Sequence, residues 1–210
     1  MTPEQRTQAS RLFTALEYGE QLAHRCAVHQ ARFAESGQSA CFLRAQARQE
    51  AFHARLFKQA ADWSKPARRY RPPATLTAFG AHLARAMDNR DTTECLVASQ
   101  IVLEGFGEQI LQRLNRGLDN LNIGFKRQRY LILQQEQSHY AFGLNALRTR
   151  FELYETTQET IRSQSGFYLQ MVNRIIDEMR DIFGVLDEDA DDYKDSLIQA
   201  LPAWLYARSL

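Results

Sequence analysis

Two short motifs with the same spacing contain the residues of this chain that are best suited to chemistry. Glu50 and His53 form one Glu-x-x-His motif, and Glu136 and His139 form another. On an α-helix, positions i and i+3 lie on the same face, about one turn apart. A carboxylate and an imidazole placed in this way can both reach a metal ion beside the helix. One such motif would be weak evidence, whereas two of them predict a shared metal site.

A site for two metal ions needs more ligands than these motifs supply. In helical bundles that bind two iron or two manganese ions, two helices contribute a Glu each and the other two contribute a Glu-x-x-His each. Two divalent ions would balance four buried carboxylates, whose burial would otherwise be very costly. Carboxylate and imidazole ligands suit iron, or manganese, better than softer metals. Ala51 and Phe52 separate the Glu and His of the first motif, so no Met stands there to bind haem and we expect no haem.

The composition predicts a chain made of helices. Only ten Gly and five Pro occur among 210 residues, and the commonest residues, such as Ala, Leu, Gln, Arg and Glu, are good helix formers. No segment alternates between apolar and polar residues in the manner of a strand. The hydrophobic share of 44% suits a domain with a real core. We therefore predict a single all-α domain over residues 1–210.

Breaks in the sequence divide the chain into four long helices and an extension. The core helices are predicted at about 3–34, 40–63, 92–118 and 124–150, and a C-terminal extension of two helices at about 160–207. Short loops join the first helix to the second and the third to the fourth, so each pair should form an antiparallel hairpin. A long crossover with a short helix of its own joins the second to the third. One long crossover is the connectivity of a ferritin-like four-helix bundle.

The second hairpin indicates where a third carboxylate lies. Side chains at one level of an antiparallel hairpin lie about equally far along the chain from its turn. Positions 104 and 136 have their midpoint at 120, inside the turn expected at residues 119–122. Glu108 in place of Glu104 moves the midpoint to 122 and fits slightly less well.

The first hairpin gives a fourth carboxylate with less precision. Its turn centres near residues 36 and 37, and Glu20 paired with Glu50 has its midpoint at 35, whereas Glu17 gives 33.5. Both are imperfect, and Glu20 is nearer. The predicted metal ligands are Glu20, Glu50, His53, Glu104, Glu136 and His139. Glu17, Glu108 and His24 are predicted to lie beside these ligands or to replace one of them.

Two glycines inside the third helix also attract attention. Gly105 and Gly107 flank the predicted ligand Glu104, although Gly costs about 1 kcal/mol relative to Ala within a helix. They leave room for dioxygen or substrate beside the metals, or they let two helices pack closely. The sequence supports both readings equally.

The sequence also limits the partners. The three cysteines form no Cys-x-x-Cys pair, so no redox module is fused and we expect a separate electron donor, such as a ferredoxin. No signal peptide or membrane span is expected, and the prediction is a cytoplasmic protein. The net charge of +1 gives no general attraction to nucleic acid. A basic loop, formed by Lys65, Arg68, Arg69 and Arg71, could still dock an acidic carrier or RNA, and a homodimer stays open as an alternative.

Residues around the predicted ligands resemble a known family. Residues 19–24 read Gly-Glu-Gln-Leu-Ala-His, which is similar to the Gly-Glu-Gln-x-Ala-His motif of the first ligand helix in the alkane-forming aldehyde-deformylating oxygenases. Residues 103–106 and 135–143 resemble the third and fourth ligand helices of that family. The resemblance implies a ferritin-like fold, two irons, dioxygen use, external electrons and a hydrophobic substrate channel, and it favours Glu20 over Glu17. The basic loop departs from the family.

These observations lead to a hypothesis about function. The chain is predicted to be a non-haem di-iron oxygenase or oxidase that uses dioxygen on a hydrophobic or partly apolar small molecule. A ferroxidase or peroxidase that handles iron is the first alternative. A di-iron tRNA-modifying hydroxylase of similar build is the second, and a helical interaction protein without a metal is the third.

Overall fold

The architecture is that of an all-α, ferritin-like bundle, as predicted. A computed structural model of the chain describes residues 2–64, 69–120, 126–153, 155–185 and 188–205, and no strand occurs in these ranges. The long helices are α1 (Pro3–Arg32), α2 (Gly37–Trp63), α3 (Ala74–Asp88), α5 (Glu104–Asn120), α6 (Lys126–Leu153) and α7 (Glu155–Glu178). Shorter segments are α4 (Thr92–Cys95), the π-helical segment Leu96–Leu103, α8 (Arg180–Val185), α9 (Ala190–Ala200) and the 3₁₀ turn Ala203–Leu205.

The first hairpin is set by the caps at the starts of its helices. Thr2 and Gln5 form a capping box at the start of α1, where each side chain accepts a hydrogen bond from the other residue's backbone N–H. Ser36 caps α2 by accepting from the Ser39 N–H at 3.0 Å. Such caps satisfy the backbone donors that a helix start leaves without a partner. Helices α1 and α2 then pack extensively against each other.

The crossover brings α3 across the bundle before the third core helix begins. Arg90 ends this connection in the left-handed region, with φ of 57°. Asp91 then caps α4 by accepting from the Glu94 N–H at 2.8 Å. The third core helix therefore starts at Thr92, where a helix was predicted.

The third core helix is not α-helical throughout, which the sequence did not predict. Its residues Leu96–Leu103 form a π-helical segment, and all eight are buried. The segment lies close to Gly143 of α6: a Cβ built on Gly143 would stand 2.3 Å from the Cβ of Gln100. Because atoms cannot approach so closely, only glycine fits at position 143. Short π-helical stretches are frequent at functional sites.

The C-terminal helices cover the bundle rather than extend from it. Helix α7 packs on α3 and on the π-helical segment, and α9 packs on α5. The Tyr168 side chain is fully buried and donates a hydrogen bond to Glu94 at 2.7 Å. The first helix of the extension begins earlier than predicted, at Glu155, and Met179 interrupts it. In the described part of the chain, no helix is both long and apolar enough to cross a membrane.

Candidate metal centre

Six side chains converge inside the bundle, and they are the six that the spacing predicts as ligands. One comes from α1, two from α2, one from the first residue of α5 and two from α6. Their ligand atoms form two overlapping groups, each with all atoms within 4.8 Å: Glu20, Glu50, His53 and Glu136 in one, and Glu50, Glu104, Glu136 and His139 in the other. Each group could hold one ion. The groups share Glu50 and Glu136, as bridging carboxylates between two ions would require.

The imidazole of His53 defines the first group. Its Nδ1 lies 3.1 Å from Oε2 of Glu50, 3.2 Å from Oε1 of Glu136 and 3.4 Å from Oε2 of Glu20. Three carboxylates from three helices therefore face one ring nitrogen. A dication at this point could be reached by all four residues.

His139 plays the same part in the second group. Its Nδ1 lies 2.9 Å from Oε1 of Glu50 and 3.6 Å from Oε2 of Glu104. Glu50 thus turns one oxygen toward each imidazole, because its Oε2 faces His53. This geometry places Glu50 between the two imidazoles, with one oxygen facing each.

The outer nitrogens of both imidazoles are held by glutamines that sequence reasoning missed. The Nε2 of His53 donates to Oε1 of Gln135 at 2.7 Å, and the Nε2 of His139 donates to Oε1 of Gln49 at 2.8 Å. An amide oxygen only accepts, so in the neutral ring the lone pair belongs to Nδ1, which faces the carboxylates. The sequence did contain a signal for these glutamines, because a Gln directly precedes the Glu of both motifs.

The six side chains are removed from water. Their exposed fractions are Glu50 0%, His53 0%, His139 1%, Glu104 2%, Glu136 3% and Glu20 8%. Burial raises the pKa values of Glu20, Glu104 and Glu136 well above the ordinary range, and the charge of neighbouring carboxylates adds to this effect. Without a cation, burial and the mutual repulsion of the carboxylates therefore favour the protonated form of these groups.

The two imidazoles supply the remaining compensation. Burial disfavours a charged ring, but the contacts of the ring with the side chains of Glu136, Glu20 and Glu50 outweigh this effect and raise the pKa of His53. Burial is likewise outweighed at His139, chiefly by Glu50, so that its pKa is raised. Burial also opposes the ionisation of Glu50, but the two imidazoles lower its pKa. Protonation of these side chains would meet part of the charge balance that metal ions would otherwise supply.

The orphaned atoms of the cluster fit metal ligation. Oε1 of Glu50 and Nδ1 of His139 are 2.9 Å apart, yet neither takes part in a hydrogen bond of acceptable angle. Oε1 of Glu136 is also buried without a hydrogen-bond partner. Two atoms that each lie about 2.1 Å from one ion, at right angles, stand about 3.0 Å apart. The donor set, its spacing and its unsatisfied atoms therefore suit two divalent ions.

The other predicted site residues stand outside the cluster. Glu17 accepts a hydrogen bond from Gln21, and Glu108 accepts from Gln112 and from Gln137. Neither belongs to the two ligand groups.

His24 and the basic loop also lie apart from the two ligand groups. The Nδ1 of His24 lies 2.7 Å from the backbone oxygen of Ala47, which ties α1 to α2. Of the basic loop, Arg69 and Arg71 are exposed, and residues 65 and 68 lie outside the described residues.

A small apolar cavity borders the cluster. Its volume is about 50 Å³, and three of the cluster's carboxylates form one wall. The cavity is lined by Ala15, Leu16, Gly19, Glu20, Ala23, Leu76, Leu103, Glu104, Phe106, Gly107, Ile110, Glu136, Ile175 and Met179.

The glycines near the cluster differ in role. Gly107 lines the cavity. Gly105 instead faces Tyr140, whose ring would stand 3.3 Å from an added Cβ. Gly19, which directly precedes Glu20, lines the cavity as well.

Comparison with known proteins supports the fold. No protein-family model matches the sequence, and no curated protein matches it. Among solved structures, 11 chains match. One of them, "Protein 19 with aldehyde deformylating oxidase activity from Synechococcus", superposes with a TM-score of 0.77 over 93% of this chain and 87% of its own, at 16% sequence identity. This likeness confirms the predicted resemblance to the aldehyde-deformylating oxygenases at the level of the ferritin-like fold.

Proposed function

We propose that this chain is a non-haem di-iron oxygenase or oxidase that activates dioxygen at its cluster of four Glu and two His residues. The observation that carries the proposal is the pair of overlapping ligand groups beside an apolar cavity. The activity in the name of the Synechococcus protein belongs to the same reaction class. The proposal includes a cytoplasmic protein that takes electrons from a separate donor, such as a ferredoxin.

The roles of the side chains follow from their positions. Two bound iron ions would supply the redox equivalents and the Lewis acidity for the reaction. Glu50 and Glu136 would bridge the two ions, because both belong to both ligand groups. Glu20 with His53, and Glu104 with His139, would each hold one ion. The apolar residues of the cavity exclude water from the reacting atoms, which limits side reactions.

The volume and the apolar lining of the cavity support a proposal about the substrate. A volume of about 50 Å³ accommodates dioxygen or a few water-sized molecules, because about 10–15 Å³ of such volume holds one water. A larger substrate must displace cavity side chains, and the unbranched side chain of Met179 is the most adaptable of them. We therefore propose a hydrophobic or partly apolar small molecule, admitted after such a displacement.

Metal content and dioxygen consumption test this proposal together. Protein expressed with ample iron should contain about two irons per chain, and the reduced protein should consume dioxygen. Glu136→Ala removes a residue shared by both ligand groups and should abolish iron binding and dioxygen consumption. Glu108→Ala is the matched control, because Glu108 is a neighbouring carboxylate outside the groups. Iron well below one ion per chain in the wild type, or unchanged iron in Glu136→Ala, would refute the metal centre.

A ferroxidase or peroxidase that handles iron is the second candidate. The small volume of the cavity favours it, because neither activity needs room for an organic substrate. Repeated additions of Fe²⁺ under dioxygen or peroxide separate the two functions. A ferroxidase turns over many irons per chain and releases the product, whereas an oxygenase oxidises about two and then stops until electrons and substrate are supplied.

A further inference from the structure

A chain of buried amides reaches the cluster from the side of Glu104. The Nε2 of Gln46 donates to Oε1 of Glu104 at 2.8 Å. The Nε2 of Gln100 donates to Oε1 of Gln46 at 2.9 Å and to Oε1 of Gln30 at 3.1 Å. The three glutamines come from α2, the π-helical segment and α1, and their exposed fractions are 1%, 0% and 5% in that order.

The direction of every hydrogen bond in this chain follows from the carboxylate at its end. Oε1 of Glu104 accepts from Nε2 of Gln46, and because an ionised, metal-bound carboxylate could only accept there, the amide already has the orientation that metal binding would need. The oxygen of Gln46 then points away and needs a donor, which Gln100 provides. The second N–H of Gln100 is used on Gln30. The amides are therefore ordered in the way that suits an ionised, metal-binding Glu104.

The burial of these three hydrogen-bonded amides costs the folded state free energy. A buried amide is expensive unless its hydrogen bonds are made, and the bundle buries three of them beside one another. The approach of Gln100 also requires the absence of a side chain at Gly143. An apolar side chain at each position would be the ordinary content of a helical core, so the amides call for a role.

Glu104 and Glu20 each belong to only one of the two ligand groups, and they differ in their hydrogen bonds to amide side chains. Oε1 of Glu104 is occupied by Gln46, and Oε2 is the oxygen that faces His139 at 3.6 Å. Glu20 instead faces His53 at 3.4 Å, and both carboxylates line the cavity. Among the hydrogen bonds of the described residues, none joins an amide side chain to Glu20.

We propose that Gln46 is a positioning residue that makes the two ion positions unequal. Gln46 holds Oε1 of Glu104, so that Glu104 offers Oε2 to the ion beside His139 in one fixed orientation. That position is the tighter of the two. The position of Glu20 and His53 is the weaker one, where the carboxylate, which accepts from no amide side chain of the described residues, can change its mode of binding. This inference rests on the proposed metal centre.

Stepwise titration of the metal-free protein with Co²⁺, followed by the visible spectrum, tests the inference. The wild type should bind two ions in separate steps. Gln46→Met keeps the approximate shape and removes the donor, and it should weaken the tighter step by about 10-fold or more while the weaker step changes little. Gln46→Leu serves as the second variant if Gln46→Met does not fold.

Gln30→Met is the matched control, because it removes a buried amide from the far end of the same chain and leaves the contact between Gln46 and Glu104. It should lower the Tm. The affinities of the two Co²⁺ steps should be the same as in the wild type. The positioning role would be overturned if the Gln46 and Gln30 variants changed the Co²⁺ affinities of both steps equally. It would also be overturned if the Gln46 variant bound Co²⁺ as the wild type does. A wild type that binds no Co²⁺ would overturn the metal centre itself, so the two failures are distinguishable.

Discussion

The side-chain oxygen of Gln49 accepts a hydrogen bond from Nε2 of His139, which stands on a different helix. Gln135 does the same for His53. Each glutamine directly precedes the Glu of its own motif and orients the His of the other motif. The two motifs therefore depend on each other, and the local sequence Gln-Glu-x-x-His encodes a cross-helix arrangement.

Replacing either glutamine should weaken the ion position on the opposite helix. Gln135→Leu removes the acceptor of His53 and should lower metal affinity about 10- to 100-fold, because such outer contacts orient the ligating ring. Gln49→Leu should do the same through His139. Metal titration of the purified variants measures both effects. Gln137→Leu is the control on the same helix, since its side chain is exposed and contacts Glu108; an equal loss there would show that the effect is not specific.

Gly143→Ala should destabilise the protein. Its Cβ would stand 2.3 Å from the Cβ of Gln100 and 3.3 Å from two backbone atoms of that residue, so the π-helical segment would have to move. Overpacking of this kind costs about 1–3 kcal/mol, which urea unfolding can measure. Gly166→Ala is the matched control, because Gly166 lies in α7 with nothing within 4 Å of an added Cβ. That variant should be as stable as the wild type, or more so, and a similar loss there would contradict the steric argument.

The part of the site that follows from spacing could be predicted, and the part that follows from tertiary contacts could not. The period of the helix and the turn midpoints indicated that Glu104 and Glu136 lie at one level, which they do. Nothing in residues 96–103 signals a π-helix, and the close contact of Gln100 with Gly143 on another helix is visible only in the fold. Gln46 and Gln100 resemble any polar residues of a helix, and only the fold reveals that they are buried and joined.

Metal binding should release protons and strengthen as pH rises. In the metal-free protein the pKa values of Glu20, Glu104 and Glu136 are raised by burial, so the folded state holds protons that the unfolded state loses above its ordinary Glu pKa of about 4.3. Stability from these groups is complete below that pH and is lost as pH rises toward the raised values. Bound ions replace the protons and remove this loss.

The difference in Tm between metal-loaded and metal-free protein should therefore widen as pH increases above about 4.3. Calorimetry across the pH range measures it, and an indicator dye in weak buffer records the released protons. Glu108→Gln should follow the wild type, since Glu108 lies outside the ligand groups. A Tm difference that is constant with pH, or metal uptake without proton release, would contradict protonation of the metal-free cluster.

A methyl group added at Gly107 should impair turnover without removing metal. Gly107 lines the cavity, and its added Cβ would make an ordinary contact of 3.7 Å with Oε2 of Glu136. A methyl group there would narrow the cavity, and one carbon in an apolar pocket can change the rate about 10-fold or more. Because Ala favours a helix by about 1 kcal/mol over Gly, unfolding would not explain the loss. Gly105→Ala, which meets Tyr140 and not the cavity, should retain its dioxygen consumption. Equal rates for the Gly107 and Gly105 variants, with full metal content in both, would show that the reaction does not use this cavity.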